Sequence, residues 1–221
     1  MSWESSIEYY RFINEYARER LGGLHSARSL MFSFDFDEIE RLQRAGEWSL
    51  AGERLAEVAR GLERGGAELL VLCTNTMHRV AEPLEAAVSI PLVHIADPTA
   101  EAIRARGLET VGLLGTRYTM EGGFYRGRLE DRHGLRVLVP DEPGRSAVHD
   151  VIYDELVVGV VRHESRRRYT EVVSELIDRG AEGVIFGCTE IELLLDPTDA
   201  EVPAFDTTRL HARAAVDAAL A

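Results

Sequence analysis

The chain has 221 residues, of which 45% are hydrophobic, and a net charge of −13. That size and composition describe a globular protein able to bury a core as one large or two small domains, and exclude a disordered chain. The negative balance excludes a surface built for nucleic acid or an anionic membrane, since holding phosphates needs clustered cations, and no apolar run reaches the roughly 18–20 residues of a membrane span.

In chain order, Ser2, Glu4 and Ser5 fit a helix start, and the helix runs to about Arg20, ended by Leu21-Gly22-Gly23. Residues 29–34 read as a strand, 36–43 as a helix after a turn at Asp35, and 49–64 as a second helix. The apolar run 69–72 fits a strand buried on both faces. Helix 76–87, strand 92–95 and a helix entered at Asp97-Pro98-Thr99 follow. Strand 111–114, helix 118–130, strand 135–139 and helices 146–158 and 162–179 come next. The chain closes with strand 183–186, a short helix 190–195, strand 204–205 and helix 207–219. This alternation predicts an α/β fold with parallel sheets flanked by helices.

One stretch is written twice. Gly66-Ala67-Glu68, an apolar run and Cys73-Thr74-Asn75-Thr76 recur as Gly180-Ala181-Glu182, an apolar run and Gly187-Cys188-Thr189-Glu190, 114 positions later and without a gap (180 − 66). In that register Thr74 matches Cys188. The duplication predicts two pseudo-symmetric domains, 1–97 plus 207–221 and 98–206, with a site in the cleft between them. Open α/β sheets bind ligands beyond the carboxyl ends of their strands, and both residues fall there.

A matched pair on opposite walls suits inversion of a carbon centre, where one group removes a proton and the other returns it. Cys188 precedes a predicted helix, whose N-terminal amides are expected to lower its pKa and favour the thiolate. Thr189 and Glu190 are placed to hold a substrate carboxylate or ammonium. The plainer alternative for Cys188 is a small buried residue at a strand end.

Other chemistries find little support. The chain has no lysine, so it cannot hold pyridoxal phosphate as a Schiff base. Its seven histidines include no pair at ligand spacing, there is no CxxC, and no metal is expected. A P-loop and a GxGxxG after a strand are both missing; Gly115-Thr116 reads only as a short turn. The cationic run Arg166-Arg167-Arg168 reads as a solvated helix face. Two cysteines make no disulfide framework and no signal peptide opens the chain, so a reducing cytoplasm is the expected setting.

Thr74-Asn75-Thr76-Met77-His78 and Gly187-Cys188-Thr189-Glu190 resemble the paired signatures of the aspartate/glutamate racemase family. Met1-Ser2-Trp3-Glu4-Ser5, Leu21-Gly22-Gly23-Leu24-His25-Ser26, Gly115-Thr116-Arg117-Tyr118-Thr119, Phe124-Tyr125-Arg126-Gly127-Arg128-Leu129 and Phe205-Asp206-Thr207 extend the resemblance along the whole chain. It implies two related α/β domains, a homodimer, no cofactor, and interconversion of L- and D-amino acids by two acid/base groups. These would be Thr74 and Cys188, with Met1, Gln43, Asn75, Thr76, Thr116, Thr119, Thr189 and Glu190 around the substrate. Related members isomerise maleate, racemise hydantoins or decarboxylate arylmalonates, and a binding protein without turnover is a further alternative.

The chain departs from the family pattern in three ways. Thr74 stands where a cysteine is usual, and Cys73 comes one residue early. A regular strand turns Cys73 away from the cleft, and a bulge would turn it inward. The arginine and lysine that usually recognise an acidic side chain are absent; Gln43 occupies the arginine's place, which leaves a neutral amino acid open as substrate. Arg117 is open between supplying that charge and a surface role. Relatives also begin with an extra strand and a Gly-Gly turn before the Met-Ser-Trp-Glu-Ser motif. The expectation is therefore a first sheet without the family's first strand, from a start codon placed too late.

Overall fold

The computed structural model describes residues 2–196 and 201–221. Helices α1 (Trp3–Leu21), α2 (Phe36–Ala45) and α3 (Trp48–Arg64) lead to strand β1 (Leu70–Val71). A 3-10 turn (Thr76–Val80) and α4 (Ala81–Ala87) then lead to β2 (Leu92–Val93). After these come α5 (Ala96–Ala105), β3 (Thr110–Gly115), α6 (Arg117–Glu121), α7 (Gly123–Gly127), β4 (Arg136–Leu138), α8 (Glu142–Asp154) and α9 (His163–Asp178). Strand β5 (Gly183–Gly187), α10 (Ile191–Leu194), β6 (Ala204–Asp206) and α11 (Thr207–Ala219) complete the order. The chain divides into two compact units, Met1–His94 with His211–Ala221, and Ile95–Leu210. Among the described residues no helix is long and apolar enough to cross a membrane.

The duplicated stretch folds the same way in each unit. At the end of α3, Gly66 takes φ +94°, its N–H donates to the Glu63 carbonyl and the Ala67 N–H to that of Leu62. At the end of α9, Gly180 takes φ +97°, its N–H donates to Ile177 and the Ala181 N–H to Leu176. Both are the two-bond helix stop that a left-handed residue permits, and only glycine adopts that backbone freely. Each stop then feeds a strand, β1 in the first unit and β5 in the second.

In the first unit β1 and β2 pair in parallel, Leu70 with Leu92 and Val71 with Val93. Side chains alternate across β1: Leu72 joins the cluster of Ile39, Leu55, Met77 and Leu84 under α2–α4, while Val71 and Cys73 pack on Tyr9 and Phe12 of α1 and Ala212 of α11. The strand expected over 29–34 forms no ladder. A groove of about 610 Å³, lined by Tyr9, Leu55, Leu62 and Leu72 among others, separates that segment from the outer edge of β1. Leu30, Met31 and Phe32 line it and stay more than half exposed.

The second unit holds a four-stranded parallel sheet in the order β4-β3-β5-β6. Every residue of β5, and all of β3 after Thr110, is buried, as expected of parallel strands covered on both faces. The single helix expected over 118–130 is broken into α6, α7 and a π-type turn (Arg128–Arg132). At Gly122, where α6 ends, a Cβ would lie 2.4 Å from the Tyr118 carbonyl oxygen. Asp97, expected to cap a helix, instead lies inside the first turn of α5. Its carboxylate accepts from Arg128 at 2.7 and 2.6 Å and sits 3.0 Å from His133 Nε2, which ties the irregular turn to α5. Arg166, Arg167 and Arg168 lie exposed on α9, as the sequence suggested.

Candidate active site

In the first unit Thr74 follows β1 and is buried. Its N–H donates to the Leu72 carbonyl at 2.7 Å, a tight turn that ends the strand. Asn75, Thr76 and His78, also buried, continue into the 3-10 turn, where the His78 N–H donates to the Asn75 carbonyl at 3.1 Å. Gln43 is buried on α2 with its amide nitrogen 3.0 Å from Met77 Sδ. Met1 lies outside the described residues. Cys73 faces the α1–α11 layer, and burial pushes its thiol pKa up to about 11.

In the second unit the parallel register sets Gly115 beside Gly187, so Thr116 and Cys188 begin the loops from two adjacent strand ends. The glycines are required by this closeness. A Cβ at Gly115 would come within 2.9 Å of the Gly187 carbonyl oxygen, and one at Gly187 within 2.8 Å of that of Leu114. Thr116 caps α6, its hydroxyl accepting from the Thr119 N–H and lying 3.2 Å from the Thr119 hydroxyl; both residues are buried.

Cys188 Sγ lies 3.0 Å from Glu190 Oε2, and the Thr189 hydroxyl donates to that same oxygen at 2.6 Å. The expectation of a favoured thiolate is overturned. Burial first, and then the Glu190 carboxylate, raise the Cys188 pKa well above the ordinary thiol value. The expected helix dipole cannot offset them, because α10 is only four residues long and starts three residues later. Nearby, burial first, and then the neighbouring Cys188, Glu155 and Glu190, raise the Tyr169 phenol well above its ordinary pKa; its hydroxyl donates to the Val148 carbonyl. Arg117 donates to the Glu142 carboxylate at 2.8 Å and to the Ser146 hydroxyl at 2.8 Å.

The sequence profile of the Asp/Glu/Hydantoin racemase family matches residues 1–215. The chain belongs to that family. A crystal structure from Yersinia pestis, described as a candidate Asp/Glu racemase, is 53% identical with a TM-score of 0.93, covering 100% of this chain and 96% of that one. The structure of an aspartate racemase homologue from Pyrococcus horikoshii OT3 is 32% identical with a TM-score of 0.84, over 99% and 95% of the two chains. The broad specificity amino-acid racemase RacX of Bacillus subtilis is 27% identical over 164 residues, 72% of this chain and 68% of that protein. The match thus spans about two thirds of RacX's own length.

What this racemase-family sequence did not disclose is a group of buried histidines in the first unit. His78, His94 and His211 lie far apart along the chain, yet their rings meet edge to face: His78 to His94 at 4.5 Å and His78 to His211 at 5.6 Å between centroids. Inspection for metal-ligand spacing passed over them. The usable signal was His94 at the end of a predicted strand, the same station that Thr74 occupies.

Proposed function

We propose that the chain racemises amino acids at Cα without a cofactor, acting on aspartate or glutamate, with Cys188 and Thr74 serving opposite faces of the substrate. The observation that carries this reading is the Cys188–Glu190 contact at 3.0 Å, at the strand end that the internal repeat matches to Thr74. Family membership supports the reaction class.

A thiol held protonated is a ready proton donor to a planar carbanion. To act as base, Cys188 gives its proton to Glu190 Oε2, and the resulting thiolate removes the α-proton while the C–H electron pair stays on the substrate. Thr74 then delivers its hydroxyl proton to the other face and is reprotonated by water, while Glu190 returns its proton to solvent. A hydroxyl is a far weaker acid than a thiol, so the two directions run at unequal rates. Thr116, Thr119 and Thr189, with Asn75 and Thr76, offer uncharged donors for the substrate's carboxylate and ammonium, and Gln43 for its side chain. The working form we propose is a cytoplasmic homodimer.

An enantiomer-resolved assay in deuterated water, over a panel of amino acids, tests the reading. Deuterium is expected at Cα of aspartate or glutamate. Thr74→Ala and Cys188→Ala should each cost at least about a hundredfold, and Cys73→Ala should change little. Ligand binding without Cα exchange would mean a binding protein instead, and non-racemic products another reaction. Loss with Cys73→Ala but not Thr74→Ala would overturn the assignment.

A further inference from the structure

The buried histidines are not used by the chemistry above, and their hydrogen bonds all lead to the strand ends of the first unit. His78 Nδ1 lies 2.7 Å from the Thr74 carbonyl oxygen. A carbonyl only accepts, so Nδ1 carries the proton in this bond; the Val93 carbonyl also faces the ring. His211 Nε2 lies 2.8 Å from the Val93 carbonyl oxygen and so carries that ring's proton. His211 Nδ1 then accepts from the Tyr9 hydroxyl at 2.7 Å. His94 follows Val93 directly and packs edge-on against His78. The side chains of His78, His94 and His211 are all at least 95% buried. The network thus ties Thr74, just beyond β1, and the end of β2 to α11 and α1.

We propose that His78 is a positioning residue for Thr74: its Nδ1–H fixes the Thr74 carbonyl, and through it the direction in which the side chain leaves the backbone. The claim rests on the reading of Thr74 as a proton carrier. The Thr74 backbone is held at two points, its N–H by Leu72 and its carbonyl by His78. With both ends of the residue fixed, so is the direction of its Cα–Cβ bond, and β-branching leaves few χ1 rotamers for the hydroxyl.

The titratable groups facing His78 are His94, beyond β2, and His211, on α11; Tyr9, on α1, faces His211. Burial first, and then those two rings, keep His78 neutral well below the usual histidine range. A charge on His78 would be desolvated beside two other rings, so acid disrupts the network at that residue.

Two variants separate positioning from mere packing. His78→Asn keeps an N–H where Nδ1 stands and does not titrate, while His78→Leu keeps bulk and loses the donor. The leucine variant should lower kcat for racemisation about a hundredfold with KM within twofold, and asparagine should restore most of it. Combined with Thr74→Ala, His78→Leu should add nothing to the loss already caused. Additive losses, or leucine and asparagine behaving alike, would overturn the proposal.

A readout independent of turnover is the histidine ring nitrogen spectrum of the wild-type chain. His78 should show the Nδ1–H tautomer and no protonation between pH 8 and about 6. An Nε2–H tautomer, or ordinary titration, would refute the positioning role even in an active enzyme. If the spectrum is as expected but no amino acid exchanges its Cα proton, the functional reading fails and the network stands.

Discussion

Cys188 shares a proton with a carboxylate, and the pair can be separated experimentally. Glu190→Gln keeps the shape and a hydrogen bond at Oε2 but removes both the charge and the base. Without the charge that raises its pKa, Cys188 should ionise more easily, so its alkylation by iodoacetamide should quicken at neutral pH. Turnover should nevertheless fall, by roughly a hundredfold. A packing role alone would not move the two in opposite directions. At this scale the repeat singled out Thr74 and Cys188 in the sequence as a matched pair, and the structure sets Glu190 against the thiol. Sequence reasoning misjudged the state of the thiol, because a helix dipole was assumed where the structure has a four-residue helix and a neighbouring acid.

Elements were legible where periodicity and stop signals agreed, as in α1, α3, α9 and the strands that follow the paired glycine stops. Gly66→Ala and Gly180→Ala should each destabilise by about 1 kcal/mol, since alanine must adopt a positive φ. The two effects should match within a few tenths of a kcal/mol in thermal melts, because the two stops share one hydrogen-bond pattern. Two elements misled. The 118–130 helix reads as continuous from its apolar spacing, but Gly122 and the pull of Asp97 on Arg128 interrupt it. Residues 29–34 have strand composition without a strand partner, and composition carries no information about what lies alongside.

For the whole molecule, acid is the informative variable. His78 and His149 are both held below the usual histidine pKa of 6.5, each chiefly by burial. A group whose folded pKa is depressed binds its proton more readily in the unfolded chain. Its contribution is therefore intact above about 6.5 and is lost as pH falls below that value, by up to about 1.4 kcal/mol per pH unit for the fully buried His78 and less for the partly exposed His149. Carboxylates such as the exposed Glu142, held at about 2 by hydrogen bonds from Arg117 and then Arg145, enter only below the ordinary carboxylate range. Urea midpoints should drop between pH 6.5 and 5, and His78→Asn should flatten that slope. An unchanged slope in that variant would show that His78 titrates normally.

The outer edge of β1 has a further effect that concerns handling rather than catalysis. A strand edge beside exposed Leu30, Met31 and Phe32 is a template for pairing with another chain. Proteins commonly blunt such margins with lysine, and this sequence contains none. Concentrated solutions warmed below the melting point are therefore expected to turn turbid after a lag. A single added ammonium, as in Phe32→Lys, should lengthen that lag and leave the enzyme's rate untouched.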